Sequence, residues 1–213
     1  MLEIYEIAAI LAPLPIILII YLIYIGFFRR VEIRGKRLPA SLLLYCEYVG
    51  DYSKITSVFQ NIRTNVKPLF QPDNLICGIY YDNPAFVENT KQSRAVVGVL
   101  LQEHERAEAQ RFIASHPIFK LRQLSEADCI YNEFPYKSFM SMIVVLIRVY
   151  PKIKDYAMKN RIFEDPLDIS GIMEVYTGST MEVIIPYRPE AQSYFLTTQP
   201  APEYKSFVLK KQS

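Results

Sequence analysis

Seven glycines, three cysteines and two histidines are few for a chain of 213 residues, and each scarcity closes off a class of chemistry. No Gly-rich phosphate loop occurs, so nucleotide cradling has little to work with. His104 and His116 stand apart from any cysteine pair and form no H-E-x-x-H, which removes the common zinc arrangements. There is no G-x-S-x-G nucleophile elbow. Cys46, Cys77 and Cys129 are odd in number and show no C-x-x-C, the usage expected of reduced thiols. No Asn-x-Ser/Thr sequon is present either. Neither a metal, a cofactor nor an enzymatic activity is expected on these grounds.

Net charge is small as well, with 24 Lys and Arg against 22 Asp and Glu. The net charge of +2 is carried by a cluster of Arg29, Arg30, Arg34, Lys36 and Arg37, and residues 38–213 are close to neutral. A nucleic-acid-binding domain would show its basic patch on the folded part, so nucleic acid is not expected as a partner. What the N-terminus has in abundance is hydrocarbon: residues 7–28 contain no charged side chain. As a helix they would reach about 33 Å, against a hydrocarbon core of about 30 Å. The segment therefore reads as a single transmembrane helix after a short lumenal 1–6. Glu3 and Glu6 in the leading residues argue against a cleaved leader. The basic linker 29–41 follows the span and no Lys or Arg precedes it, which by the positive-inside rule puts the remainder in the cytosol.

Behind the linker the chain repeats itself. Tyr-x-Glu-aromatic occurs at Tyr45-Glu47-Tyr48 and again at Tyr131-Glu133-Phe134. Each copy is followed by an apolar set at helical spacing: Ile55, Val58, Phe59, Ile62 and Val66, then Phe139, Met142, Ile143, Leu146, Val149, Ile153 and Tyr156. Two extended runs follow each set. The pattern β-α-β-β thus occurs twice, in halves of about 42–101 and 119–187 joined by a polar, helical connector over 103–115. The expected fold is α+β, an antiparallel sheet with the helices on one face. Residues 188–213 read as a flexible tail.

The span, the basic collar, the duplicated unit, IYYDNP at 79–84, AVVGVLL at 95–101, EFPY at 133–136 and RVYPKIKDYAMKNRI at 148–162 together resemble the testis-expressed protein 264 family. That resemblance implies a GyrI-like domain held at the endoplasmic reticulum, or the nuclear envelope, by one membrane-spanning helix. It further implies a reticulophagy adaptor whose protein partners are ubiquitin-like autophagosome proteins or an AAA ATPase. The family's long acidic tail, with its aromatic-x-x-aliphatic motif, has no counterpart in residues 188–213. GyrI-like relatives hold cationic organic compounds with an acidic residue and aromatic rings, and some hydrolyse small reactive rings.

The residues offer a matching set of candidates. In alternating strands Tyr45 and Glu47 share a face, as do Tyr131 and Glu133. If these strands meet at a pseudo-twofold, they line one concavity, with Glu174, Tyr176 and Glu182 as further members. An aromatic wall around a partly buried glutamate favours cations. The plainer alternative is a solvated sheet face covered by tyrosines. Tyr80-Tyr81-Asp82-Asn83-Pro84 reads as a strand exit and turn, with Tyr80 and Tyr81 on opposite faces and the turn at most a ligand rim.

Overall fold

The duplication runs deeper than the sequence pattern shows. The computed structural model describes residues 12–162, 171–187 and 189–204. Its strands are β1 (Arg34–Leu38), β2 (Ser41–Val49), β3 (Leu75–Tyr80), β4 (Arg94–Leu101), β5 (Phe119–Leu124), β6 (Ala127–Pro135), β7 (Ile172–Thr177) and β8 (Thr180–Pro186). An offset of 86 residues carries the bounds of β2 onto those of β6 and the start of β4 onto that of β8. It also carries β1 into β5, a pair of strands that hydrophobic patterning does not reveal. Their sequences, RGKRL and FKLRQL, are charged and short, as suits the edges of a sheet.

All eight strands form one antiparallel sheet in the order β1-β6-β8-β7-β3-β4-β2-β5. The halves meet at β3 and β7 in the centre, and each half sends its first strand to the far edge of the other. β1 lies in the region expected as a basic linker, and its cations have partners there. Arg34 pairs with Glu32 at 2.7 Å, Lys36 with Glu182 at 2.6 Å and Arg37 with Glu126 at 2.6 Å.

The expected transmembrane helix over 7–28 is corrected by the structure. The helix there, α1, covers Leu14–Tyr24, about 17 Å at 1.5 Å per residue. Among the described residues no helix is long and apolar enough to cross a membrane; residues 1–11 lie outside them. The chain turns at Gly26, whose φ of +83° a side chain would strain, and a Cβ there would also crowd the Phe134 ring at 3.1 Å. Ile25, just before that turn, is buried and packs, with Leu22 and Phe27, into the core. The single-pass placement in the endoplasmic reticulum or nuclear envelope falls with the span.

Four further helices lie on one face of the sheet. α2 (Thr56–Asn61) continues through a π-helical turn at Ile62–Val66, and α3 (Arg106–Ser115) forms the expected connector. α4 (Phe139–Val144) runs through a second π turn, Val145–Val149, into α5 (Tyr150–Lys159). Each π turn ends two residues before a proline, Pro68 or Pro151. A proline cannot donate to the carbonyl four residues back and its ring collides with it, and a wider turn relieves both faults. The extra residue rotates the buried stripe. Val144, Val145, Val149, Ile153 and Ala157 face the core, whereas Phe139 and Leu146, assigned by 3.6-residue spacing to the same stripe, are 69% and 51% exposed.

The opposite face of the sheet is also covered. Tyr45, Cys77, Val96, Met173 and Ile184 lie beneath Tyr194 and Leu196 of the C-terminal segment. Residues 189–204, expected as the start of a flexible tail, are thus packed as a strap. The Tyr81 hydroxyl donates to the Tyr194 carbonyl and accepts from the Leu196 amide, both at 3.0 Å. Further along, the Glu88 amide donates to the Glu203 carbonyl at 2.8 Å.

Candidate functional site

Alternation along β7 points Glu174 and Tyr176 to the helical face, where Glu174 lies opposite Gly78 of β3. The glycine is required by its neighbour, because a Cβ at Gly78 would stand 2.7 Å from the Phe59 ring. Glu174 is 2% exposed. The Tyr150 hydroxyl donates to its Oε1 at 2.7 Å and the Tyr176 hydroxyl to its Oε2 at 2.6 Å, and Tyr80 brings a third phenol to the group. Edge-to-face contacts fix these rings: Tyr52 on Tyr80 at 5.0 Å, Phe59 on Tyr176 at 5.3 Å and Tyr136 on Tyr176 at 5.2 Å.

Asp82, Glu105 and Glu174 are all buried, and they are satisfied in different ways. Asp82 is paired with Arg94. Glu105 accepts from the amides of Gln71 and Gln102 and from the Asn74 side chain. Glu174 is met by phenols alone, and no described cation acts on it. Burial pushes its carboxyl up, against the lowering by Tyr176, Tyr150 and Tyr80. The same burial raises the three phenols well above their ordinary value.

A raised carboxyl in the folded state binds its proton more tightly than the unfolded chain does. Its contribution is therefore full below the unfolded value near 4.5 and is lost as pH rises through the folded value. Glu174→Gln, which cannot ionise, is expected to gain in melting temperature relative to the wild type as pH climbs from about 4.5 to 8. Thermal melts across that range check it; curves that stay parallel would contradict the buried, unpaired carboxylate.

Above this floor opens a cleft of about 780 Å³ between α2 on one side and α4 and α5 on the other. Tyr52, Phe59, Tyr136, Phe139, Met142 and Leu146 wall it, and Arg63, Phe86 and Lys154 border it. The exposed Phe139 and Leu146 are thus cleft walls. Arg63 and Leu146 sit in the two π turns, a helix irregularity that recurs at functional sites.

The structure divides the sequence candidates between two faces. Tyr176 joins Glu174 in the cleft. Tyr45 is buried on the opposite face, and Glu47 there is bonded to Lys120 and to the Thr198 amide and hydroxyl of the strap. Tyr131 lies under the Lys36 ammonium at 4.3 Å, and that ammonium is bound to Glu182. Glu133 is exposed and opposes Glu182 across the β6–β8 pairing. The two Tyr-x-Glu copies therefore do not meet in one concavity, because β2 and β6 are held apart by β8, β7, β3 and β4.

Tyr80 and Tyr81 do part to opposite faces, the first to the cleft floor and the second to the strap. Asn83 accepts from the Ala85 amide at 3.0 Å, the Asx turn that its sequence favours. Asp82 is structural, with Arg94 donating from its amide (2.7 Å), Nε (2.9 Å) and Nη2 (2.8 Å), and Tyr204 from its hydroxyl (2.9 Å). The floor residue Tyr150 was absent from the sequence candidates. A tyrosine one residue before Pro151 inside an apolar helix was its available signal.

No family model and no curated protein matches the chain. Among solved structures it is similar to the EcmrR C-terminal domain, with a TM-score of 0.53 and 10% identity over 74% of this chain and 98% of that one. The cryo-EM EcmrR–DNA complex gives 0.53 at 11% identity over 86% of this chain and 68% of that one. SAV2435 bound to tetraphenylphosphonium gives 0.50 at 8% identity over 74% and 94%. Likeness at such low identity shows the fold, an α+β domain with an antiparallel sheet resembling GyrI-like domains.

Proposed function

We propose that this protein binds lipophilic organic cations in the cleft over Glu174. The observation that carries the reading is a buried carboxylate with phenol donors, no cationic partner among the described residues, and aromatic walls around an open space. An unpaired buried charge is costly, so a bound cation would supply what the fold leaves out. The rings would hold that cation by cation–π attraction, on the order of 2 kcal/mol once it is desolvated. The cleft volume suits a small organic molecule. SAV2435, similar in fold, is a protein seen with such a cation bound. The adaptor reading depended on a membrane anchor, and no spanning helix occurs among the described residues.

Calorimetric titration with tetraphenylphosphonium tests the proposal. Binding to the wild type is expected, and Glu174→Gln is expected to weaken it at least about tenfold, the value of one lost charge-assisted contact. Neutral triphenylphosphine oxide is expected to bind no more tightly to the wild type than to the variant. Equal affinity of wild type and variant for the cation would overturn the assignment.

A further inference from the structure

The partners of the buried carboxyls differ in a way that bears on protonation. Asp82 and Glu105 are met chiefly by N–H groups: the guanidinium and amide of Arg94 in the first case, the Gln71 and Gln102 amides and the Asn74 side chain in the second. An N–H donates and cannot accept, so both sets are fitted to a carboxylate. Glu174 is met by hydroxyls alone, Tyr150 on Oε1 and Tyr176 on Oε2, with Tyr80 as the third. A phenol hydroxyl both donates and accepts. Tyr176 is hydrogen-bonded to Tyr80 as well as to Glu174. It can therefore turn its proton to Tyr80 and accept the O–H of a protonated Glu174. The same three hydroxyls can partner either form of the carboxyl.

Charge then decides between the two forms. The titratable groups facing Glu174 are Tyr176 on its own strand, Tyr80 on β3 and Tyr150 on α5, with Tyr52 and Tyr136 packed on the rings of the first two; α2 offers the Phe59 ring. None of the charged residues on the cleft border, Arg63, Asp82, Lys154 and Asp155, acts on Glu174. In an empty cleft an ionised Glu174 would be a lone charge, 2% exposed, and a group so placed takes up a proton instead. A cation held on the tyrosine rings reverses that balance, because an opposite charge close by favours the ionised form. We propose that the cleft is a proton–cation exchange site: Glu174 holds a proton while the cleft is empty and releases it to water as an organic cation takes its place. The O–H bond breaks with its electron pair left on the carboxylate, and the site is neutral before and after. This deepens the cation-binding reading and rests on it. The loaded cleft holds one proton fewer than the empty one. Binding therefore strengthens as pH rises through the titration of Glu174 in the empty cleft, which lies above its ordinary 4.5, and levels off beyond it.

The test is calorimetric titration of the full chain with tetraphenylphosphonium, whose charge is fixed, in pairs of buffers of different protonation heat from about pH 4.5 to 8. At the acid end the proton release is expected to approach about one per cation bound, and the affinity to fall about tenfold for each pH unit lowered. At the alkaline end the release is expected to vanish and the affinity to level off. Glu174→Gln has no proton to give, so its residual binding is expected to show neither release nor pH dependence. A wild-type affinity that stays flat across this range with no release, while Glu174→Gln still weakens binding, overturns the exchange and leaves cation binding standing. Release that persists in Glu174→Gln assigns the proton to another group and also overturns it. If the cation binds the wild type at no pH, the underlying cation reading fails and this inference with it.

Discussion

Replacing Arg94 by methionine, with Asp82 left in place, is expected to lower folding stability by about 3–5 kcal/mol. The side chains of this pair are 7% and 0% exposed, so neither has water to fall back on. Removal of the guanidinium strips two donors from the carboxylate at once, Nε and Nη2, and leaves the Arg94 amide and Tyr204. The loss spreads, because Arg94 also donates from Nη1 to the Gln199 carbonyl at 3.3 Å. The size of the effect is the cost of an uncompensated buried charge and does not measure what the pair contributes. Adding Asp82→Asn to Arg94→Met is therefore expected to recover part of the loss. Urea denaturation of both single variants and the double variant gives the cycle. A single variant within about 1 kcal/mol of the wild type would place this pair among ordinary surface bridges.

Ending the chain after Tyr187 is expected to cost a comparable amount. Tyr194 and Leu196 are 2% and 6% exposed where they cover the sheet, and full burial of a large apolar side chain stabilises by about 1.5–3 kcal/mol. The two together come to roughly 3–6 kcal/mol, against total stabilities of about 5–15 kcal/mol for domains in general. Truncation also uncovers the apolar face formed by Tyr45, Cys77, Val96, Met173 and Ile184. The shortened protein is expected to bind a hydrophobic dye and to melt at a markedly lower temperature. A melt and dye response like the full chain's would show that residues 189–204 leave that face in solution.

What the sequence made legible followed from strong periodicity. The duplicated strands, the helical connector and the placement of helices on one sheet face were all visible in apolar spacing. Three features were not, each for a physical reason. The edge strands Arg34–Leu38 and Phe119–Leu124 carry charge because an edge must, so they lack the apolar signature of inner strands. The greasy run at residues 7–28 matched a bilayer in length, but the chain turns at Gly26, and Ile25 just before it is buried in the core. The π turns shifted the register of the second helix, so 3.6-residue spacing mixed core residues with cleft walls. The site was half legible for a related reason. Tyr-x-Glu was the right chemistry to look for, yet its two matched copies lie on the strap side. The glutamate that counts sits in IMEVYT, a single acid in an otherwise apolar central strand.

The exchange of edge strands between the halves bears on a cut chain. β1 closes against β6 and β5 against β2, so each half severed from the other keeps an arm with nothing of its own to zip onto. A nick within the exposed part of the connector, around residues 106–115, should give two fragments that are poorly ordered apart and snap together when mixed. Such reciprocal embrace makes the molecule a natural candidate for a split reporter, its reassembly driven by three ladders, β1–β6, β2–β5 and β3–β7, and one shared cleft.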